Sequence, residues 1–573
     1  FRYGPRPRPR RRRESGAARL ACRRLFYSAS MAHDKLTHVY DAHVRARMID
    51  FFTLEGLPWP RRLWDVGSLL ALEELIEAGT WARRRVLSPA AVDWQRHQLA
   101  KIIGPDVGLG SKELRAELTS LLAKPVPDPS PAHRRLRVVV DHARSGYLGR
   151  WAAAARSEGR RPQPERLARV VTAHLLDLGY DAGFLAVWMG QLARGRATVD
   201  EVLQGALALD GAAPREFTVL AALDSVPERD QAQRYETWIS NPEILEWLKR
   251  RGHSTSGVRA GGGFLFRVLA RDPFSAADQA RELVERMVAR SSFMRGNRSG
   301  IKPASQLWVD RHPDPIPFAA PARAADVLAL ANEGRLYQVA GERTLIDDAL
   351  ELASPVNRGA LGPAVAGAWA AVESLLSHPD DPAEEERSGK AVAADRLAAI
   401  IACSWPRAEL TALSHRHRPK NPDALAKALS TCTTNRDRAS AVADALSAGD
   451  ALESVDRFRR DADIAAAHRM SRVVAHPGRE LAAAATIFRV AMRRLYRTRN
   501  IVLHGGSTQG VALKAALRIA APLVGAGLDR ITNAALTEGL SPLDLAARAE
   551  VELKLVGGET GLGVVDLLRA RRK

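Results

Sequence analysis

A chain of 573 residues exceeds what one ordinary core holds and predicts roughly two to four domains. Hydrophobic residues make up 46% of it and no apolar run nears the length of a bilayer span, so the composition fits a soluble globular chain and argues against a helical membrane protein. The net charge of +20 favours a polyanionic partner, although ten Arg against one Glu in residues 1–30 supply +9 of it.

Residues 1–30 read as a disordered basic extension: an Arg/Pro run from Phe1 to Arg13, without the apolar segment of a signal peptide, ahead of Met31, a candidate start. Region 31–124 is helical in pattern. Its helices are expected at 33–52, at 64–79 with Leu69, Leu70, Leu72, Leu75 and Ile76 in amphipathic order, and at 90–103. The Pro-rich stretch from Lys124 to Ala132 reads as a linker. A middle domain, 133–318, opens with helices over 134–155, 165–178, 182–192 and 199–207. The period then changes. Thr218–Leu223, Phe264–Ala270 and Leu307–Val309 read as strands, and between the last two Ser275-Ala-Ala-Asp278 opens a helix to Arg290 with a capping box. Strand, capped helix, strand predicts a βαβ-like unit, and hence an α+β or α/β middle. Pro313, Pro315, Pro317 and Pro321 mark the boundary with an Ala-rich, all-helical stretch over 322–545, and 546–573 forms a tail with a basic end. The fold class expected is therefore mainly α, with a small α+β region before a carboxy-terminal helical bundle.

Several other constellations have to be weighed. The glycines from Gly257 to Gly263 precede a strand, whereas phosphate-cradling loops follow one, so they read as a turn. Gly104 to Lys112 has the wrong glycine spacing for a P-loop, and no nucleotide cofactor is expected. Cys22, Cys403 and Cys432 are too scattered for a metal cluster or a disulfide framework, which fits a reducing cytoplasm and a protein without a metal. His415-Arg416-His417-Arg418 reads as a basic loop that brushes phosphates or as a solvated turn before Pro419. It lacks ligand partners at metal spacing, and the only Tyr after it, Tyr496, is misplaced for the nucleophile of a tyrosine recombinase.

The informative stretch is Arg497-Thr498-Arg499-Asn500-Ile501-Val502-Leu503-His504-Gly505-Gly506. It follows a periodic run with Leu481, Ala484, Ile487, Phe488, Ala491 and Leu495 at helical spacing, and the two glycines supply a left-handed stop. Arg499 and His504 lie five residues apart, about 140° round an unbroken helix, so they converge only if the last turn unwinds. As residue types alone, an Arg and a His here also suit the negative end of the helix dipole.

Arg499, the polar Asn500 directly after it and His504 at the helix end resemble the R-x4-6-H motif of the HEPN superfamily. Many of its members are metal-independent RNA-cleaving enzymes of defence and toxin systems. Upstream, Trp369-Ala-Ala-Val-Glu373-Ser-Leu-Leu376 resembles the early helix of the ApeA-like branch, which carries an aromatic and a Glu on one face. The resemblance implies a HEPN-like bundle over 322–545 and endoribonuclease activity in bacterial defence. Chemically, an imidazole titrates nearest neutral pH and suits His504 to general acid/base work, while a forked guanidinium suits Arg499 to a phosphate. The resemblance further implies that Asn500 contacts the ribose or orients the His. In this reading Glu373 supports Arg499, and Arg494 and Arg497 extend the RNA contacts. It also implies a composite site completed by a homodimer mate or a partner HEPN chain, and an amino-terminal two thirds that acts as a sensor. A catalytically inactive bundle that binds RNA or a partner protein is the alternative.

Overall fold

Capping chemistry sets out many of the helices. Ser88, Ser111, Ser130, Asp181, Thr198, Thr434 and Ser541 each accept a backbone N–H from the first turn that follows them, and proline occupies the first helical position after Ser88, Ser130 and Ser541. The computed structural model describes residues 38–53, 59–61, 66–157, 161–294, 300–339, 341–382, 391–453 and 460–569, so the extension expected at 1–30 lies outside the described residues.

The periodic runs of the amino-terminal half become helices at 38–52, Ser68–Arg83, Pro89–Ile103, Pro164–Asp177, Ala182–Arg194 and Val199–Gly211. One expectation fails in phase. The helix expected over 134–155 is two, Pro131–Arg144 and Tyr147–Arg156, because Gly146 takes a left-handed φ of 68° between them. The Pro-rich stretch before them is not a free tether. Val126 is buried, and the Asp128 carboxylate accepts a hydrogen bond from Thr80 Oγ1 at 2.9 Å and pairs with Arg83 at 3.4 Å.

Five strands form the only sheet among the described residues: β1 (Arg215–Ser225), β2 (Trp238–Ile239), β3 (Gly262–Ala270), β4 (Lys302–Val309) and β5 (Ile316–Pro317), in the order β2-β3-β1-β4-β5. Every neighbouring pair is antiparallel. Since β3 and β4 both oppose β1, they run parallel to each other, and the helix Pro273–Ser291 that joins them completes a βαβ crossover split by β1. The region is thus α+β, not α/β. The crossover helix buries Ala276, Ala277, Ala280 and Val284 on one face of the sheet, while helix Asn241–Arg250 packs Ile244, Trp247 and Leu248 on the other. The crossover helix has its capping box at Asp272 with Ser275, not at Ser275 with Asp278: Asp272 Oδ1 accepts the Phe274 and Ser275 N–H groups at 2.9 Å. Pro273 fits the first helical position, so the start moves upstream.

The carboxy-terminal helices Leu361–Leu376, Val392–Arg416, Asn435–Ala448, Arg460–Ala475, Pro477–Leu503, Leu513–Glu538 and Pro542–Leu555 follow. The molecule is mainly helical with a small antiparallel sheet, as the sequence predicts. One apolar cluster extends from Val44 to Leu568 and draws on amino-terminal helices and carboxy-terminal helices alike. Among the described residues no helix is long and apolar enough to cross a membrane.

Charges are buried where these helices meet. Arg61 Nε donates to Glu409 Oε1 at 2.8 Å with both side chains fully buried, and Arg61 also lies 3.0 Å from Asp463. Arg47 pairs with Asp50 at 2.6 Å and Glu165 at 2.8 Å. Burial alone raises the Glu409 carboxyl, yet Arg61 and Arg469 hold it below the ordinary carboxylate range. Glu409→Ala strands the Arg61 guanidinium without its nearest carboxylate. The expected cost is about 3–5 kcal/mol, read as a lowered thermal and denaturant midpoint; an unchanged midpoint refutes it.

Candidate active site

The helix Pro477–Leu503 buries Leu481, Phe488, Leu495 and Tyr496 and ends at His504. The His504 N–H still reaches Asn500 O at 2.8 Å, the Gly505 N–H shares that oxygen at 3.2 Å, and Gly506 takes the left-handed φ of 64°. Unwinding therefore begins one residue after His504, not before it. The glycine pair divides its work. Gly506 supplies the conformation, and Gly505 supplies closeness, since a Cβ there would sit 2.8 Å from the Trp81 ring.

Arg499 and His504 nevertheless meet. The reach of the arginine, rather than a frayed turn, closes the angle: Arg499 Nη1 lies 3.1 Å from His504 Nε2. The same Nη1 donates to Asn500 Oδ1 at 2.9 Å, and Nη2 lies 3.6 Å from Glu373 Oε2. For the contact with His504, Nε2 must accept, which assigns the imidazole proton to Nδ1. Glu373 arrives on helix Leu361–Leu376, held by the ring of Trp369 packed 4.8 Å from that of Tyr496, both rings buried; Trp369 and Glu373 stand four residues apart on one helix face. Arg499 is largely covered, with 16% of its side chain exposed, while His504 faces solvent. Asn500 is buried, so its amide oxygen orients the guanidinium and does not face a ribose.

Arg494 and Arg497 are a correction. Both are 3% exposed and turned inward: Arg494 Nε donates to Glu74 Oε2 at 2.8 Å and Arg497 Nη2 to Glu74 Oε1 at 2.6 Å, on helix Ser68–Arg83. They are not placed to extend contacts with RNA. The reason is helical phase. Residues 494 and 497 share one face, whereas Arg499, two residues beyond Arg497, points about 200° away from it.

No motif marks Glu74, Glu77 and Trp81, which hold the site from behind. Glu77 Oε2 accepts the Val511 N–H at 3.1 Å, and Trp81 packs with Ala78, Leu87 and Ile501. A signal does exist. Glu74 falls four residues after Leu70 on the apolar face of its helix, where a carboxylate demands a buried cation.

Chemically, the group offers a guanidinium that can fork onto two oxygens and an exposed imidazole that can carry a proton beside it. Among the described residues no set of three or more His, Cys, Asp or Glu is arranged to hold a metal. The alternate histidines of the basic loop are occupied separately: His415 Nε2 lies 3.3 Å from Asn435 Oδ1, and His417 Nε2 lies 3.1 Å from Asp423 Oδ1. No protein-family model, curated protein or solved structure matches the chain.

Burial raises the Glu74 carboxyl, but Arg494 and Arg497 outweigh it and hold the group below its ordinary value. Because the folded-state pKa is depressed, its contribution is fully present above the unfolded value of about 4.3 and is lost as the pH falls through the folded one. Glu74→Gln is expected to cost about 3 kcal/mol at neutral pH, and the gap from the parent chain is expected to shrink below about pH 4.3. Denaturant unfolding across that range checks it; a gap that widens in acid contradicts the assignment.

Proposed function

We propose that the chain is a metal-independent endoribonuclease of the HEPN kind, serving bacterial defence or a toxin role in the cytoplasm. The observation that supports this most is the 3.1 Å meeting of Arg499 Nη1 and His504 Nε2 at an open helix end, with Asn500 and Glu373 on the same guanidinium.

In this reading the ribose 2′-oxygen attacks the adjacent phosphorus. A P–O2′ bond forms, the P–O5′ bond breaks, and the products are a 2′,3′-cyclic phosphate and a 5′-hydroxyl. The phosphate displaces the resting contact between Arg499 and His504. Arg499 then holds the non-bridging oxygens as their charge grows, and its pairing with Glu373 and Asn500 keeps the fork aimed. His504 takes the 2′-hydroxyl proton or delivers one to the departing 5′-oxygen. One imidazole does not obviously serve both ends of the reaction. A second motif, from a homodimer mate or a partner HEPN chain, supplies the other proton step. The amino-terminal two thirds acts as a sensor, and the Glu74 pairing gives it a direct grip on the helix that carries Arg499 and His504.

The rival, an inactive bundle that binds RNA or a protein partner, draws on the same contact: the guanidinium occupies the imidazole nitrogen that would take the proton. Incubation of mixed RNA with the purified chain in EDTA separates the two. The expected result is cleavage to cyclic phosphate ends, lowered about 10²–10⁴-fold by His504→Ala and about 10²–10³-fold by Arg499→Ala. Equal cleavage by all three proteins, or dependence on Mg²⁺, would falsify the nuclease reading.

A further inference from the structure

The basic loop after helix Val392–Arg416 is built more firmly than a solvated turn requires. His417 is fully buried as a side chain. Its Nε2 faces Asp423 Oδ1 at 3.1 Å, and its Nδ1 accepts the Glu453 N–H at 3.2 Å. Next to it the Arg418 N–H donates to Glu453 O at 2.8 Å. Two neighbouring arginines are committed to structure. Arg416 pairs with Asp463 at 2.9 Å, and Arg438 donates to the Leu429 and Ser414 carbonyls at 3.1 Å. Arg418, Lys420 and Arg460 differ from them: all three are exposed, line one open groove and form no ion pair among the described residues. Glu453 is the single carboxylate among the described groove residues, and its backbone is what ties the loop down. A firmly held loop that presents cations with no ion pair among the described residues, in a concave surface, suits a polymer of phosphates.

Its position gives the groove a purpose. Asp395, near the start of helix Val392–Arg416, pairs at 2.6 Å with Arg493, near the end of helix Pro477–Leu503, and Trp405 meets Phe488 halfway along. The two helices therefore run antiparallel, and the groove lies at the far end from His504. Twenty residues separate Asp395 from His415, about 30 Å of helix at 1.5 Å per residue.

We propose that this groove is a second contact site for the sugar–phosphate backbone of an RNA strand, so that the chain holds a long RNA at two separated places. The choice of RNA rests on the ribonuclease reading; the polyanion chemistry stands on the groove itself. The test uses the full-length chain carrying His504→Ala, which keeps the RNA intact, titrated with fluorescent single-stranded poly(U) over a salt series. Adding Arg418→Gln and Lys420→Gln, both exposed changes whose folding circular dichroism verifies, is expected to weaken binding about tenfold and to flatten the salt slope by roughly 0.7 for each phosphate that is no longer neutralised. An unchanged dissociation constant and slope overturn the proposal, as does competition by polyglutamate equal to that by RNA. Because the readout is binding alone, a missing slope change and a missing His504-dependent cleavage fail independently.

Discussion

The carboxylate of Glu74 between the guanidinium groups of Arg494 and Arg497 governs where everything near His504 lies. All three side chains are buried, and a charge away from water is tolerable only with a partner at hydrogen-bonding distance. Helix Ser68–Arg83 therefore cannot leave helix Pro477–Leu503 without stranding two cations in an apolar setting. The amino-terminal half is fastened to the helix that bears the candidate site, at the last turns before its end.

That fastening also sets the roll of the helix. With Arg494 and Arg497 turned toward Glu74, the helical repeat sends Arg499 to another face, toward Glu373 and the open end. The turn beyond is held by a second grip from the same amino-terminal helix. Glu77 accepts the Val511 N–H, and Trp81 approaches Gly505 so closely that no side chain fits there. His504 thus lies between two points fixed by one helix. A shift of that helix would therefore be felt at both ends of the turn that carries the imidazole.

Features that depend on nearby residues were legible in the chain. The amphipathic helices at Ser68–Arg83, Pro89–Ile103, Ala182–Arg194 and Val199–Gly211 and the three longer strands follow from local pattern, whereas Arg499 and His504 meet by the reach of the arginine and not by the unwound turn that their spacing called for. The failures come from distance. Arg494 and Arg497 look like surface cations until Glu74 is found 420 and 423 residues away. The split crossover needed the pairing order of the sheet, which no strand pattern encodes. Even the capping box was displaced by a single Pro273, whose ring suits the first turn better than the Ser275 start does. Asn500 was expected to contact a ribose or orient the His, but the bundle packed around it buries it and its amide oxygen accepts from the Arg499 guanidinium instead.

The basic composition needs the same correction. Much of the arginine excess works inside the protein: Arg61, Arg494, Arg497 and Arg530 meet carboxylates in buried positions, and Arg150, Arg271 and Arg323 cap backbone carbonyls. A guanidinium is suited to this work, since its planar fork satisfies several acceptors at once and it keeps its charge when covered. Formal charge therefore overstates the surface offered to a polyanion. The cations left to face an outside anion are those that form no ion pair among the described residues, such as Arg418 and Lys420, together with Arg499, whose guanidinium reaches a histidine at an open helix end.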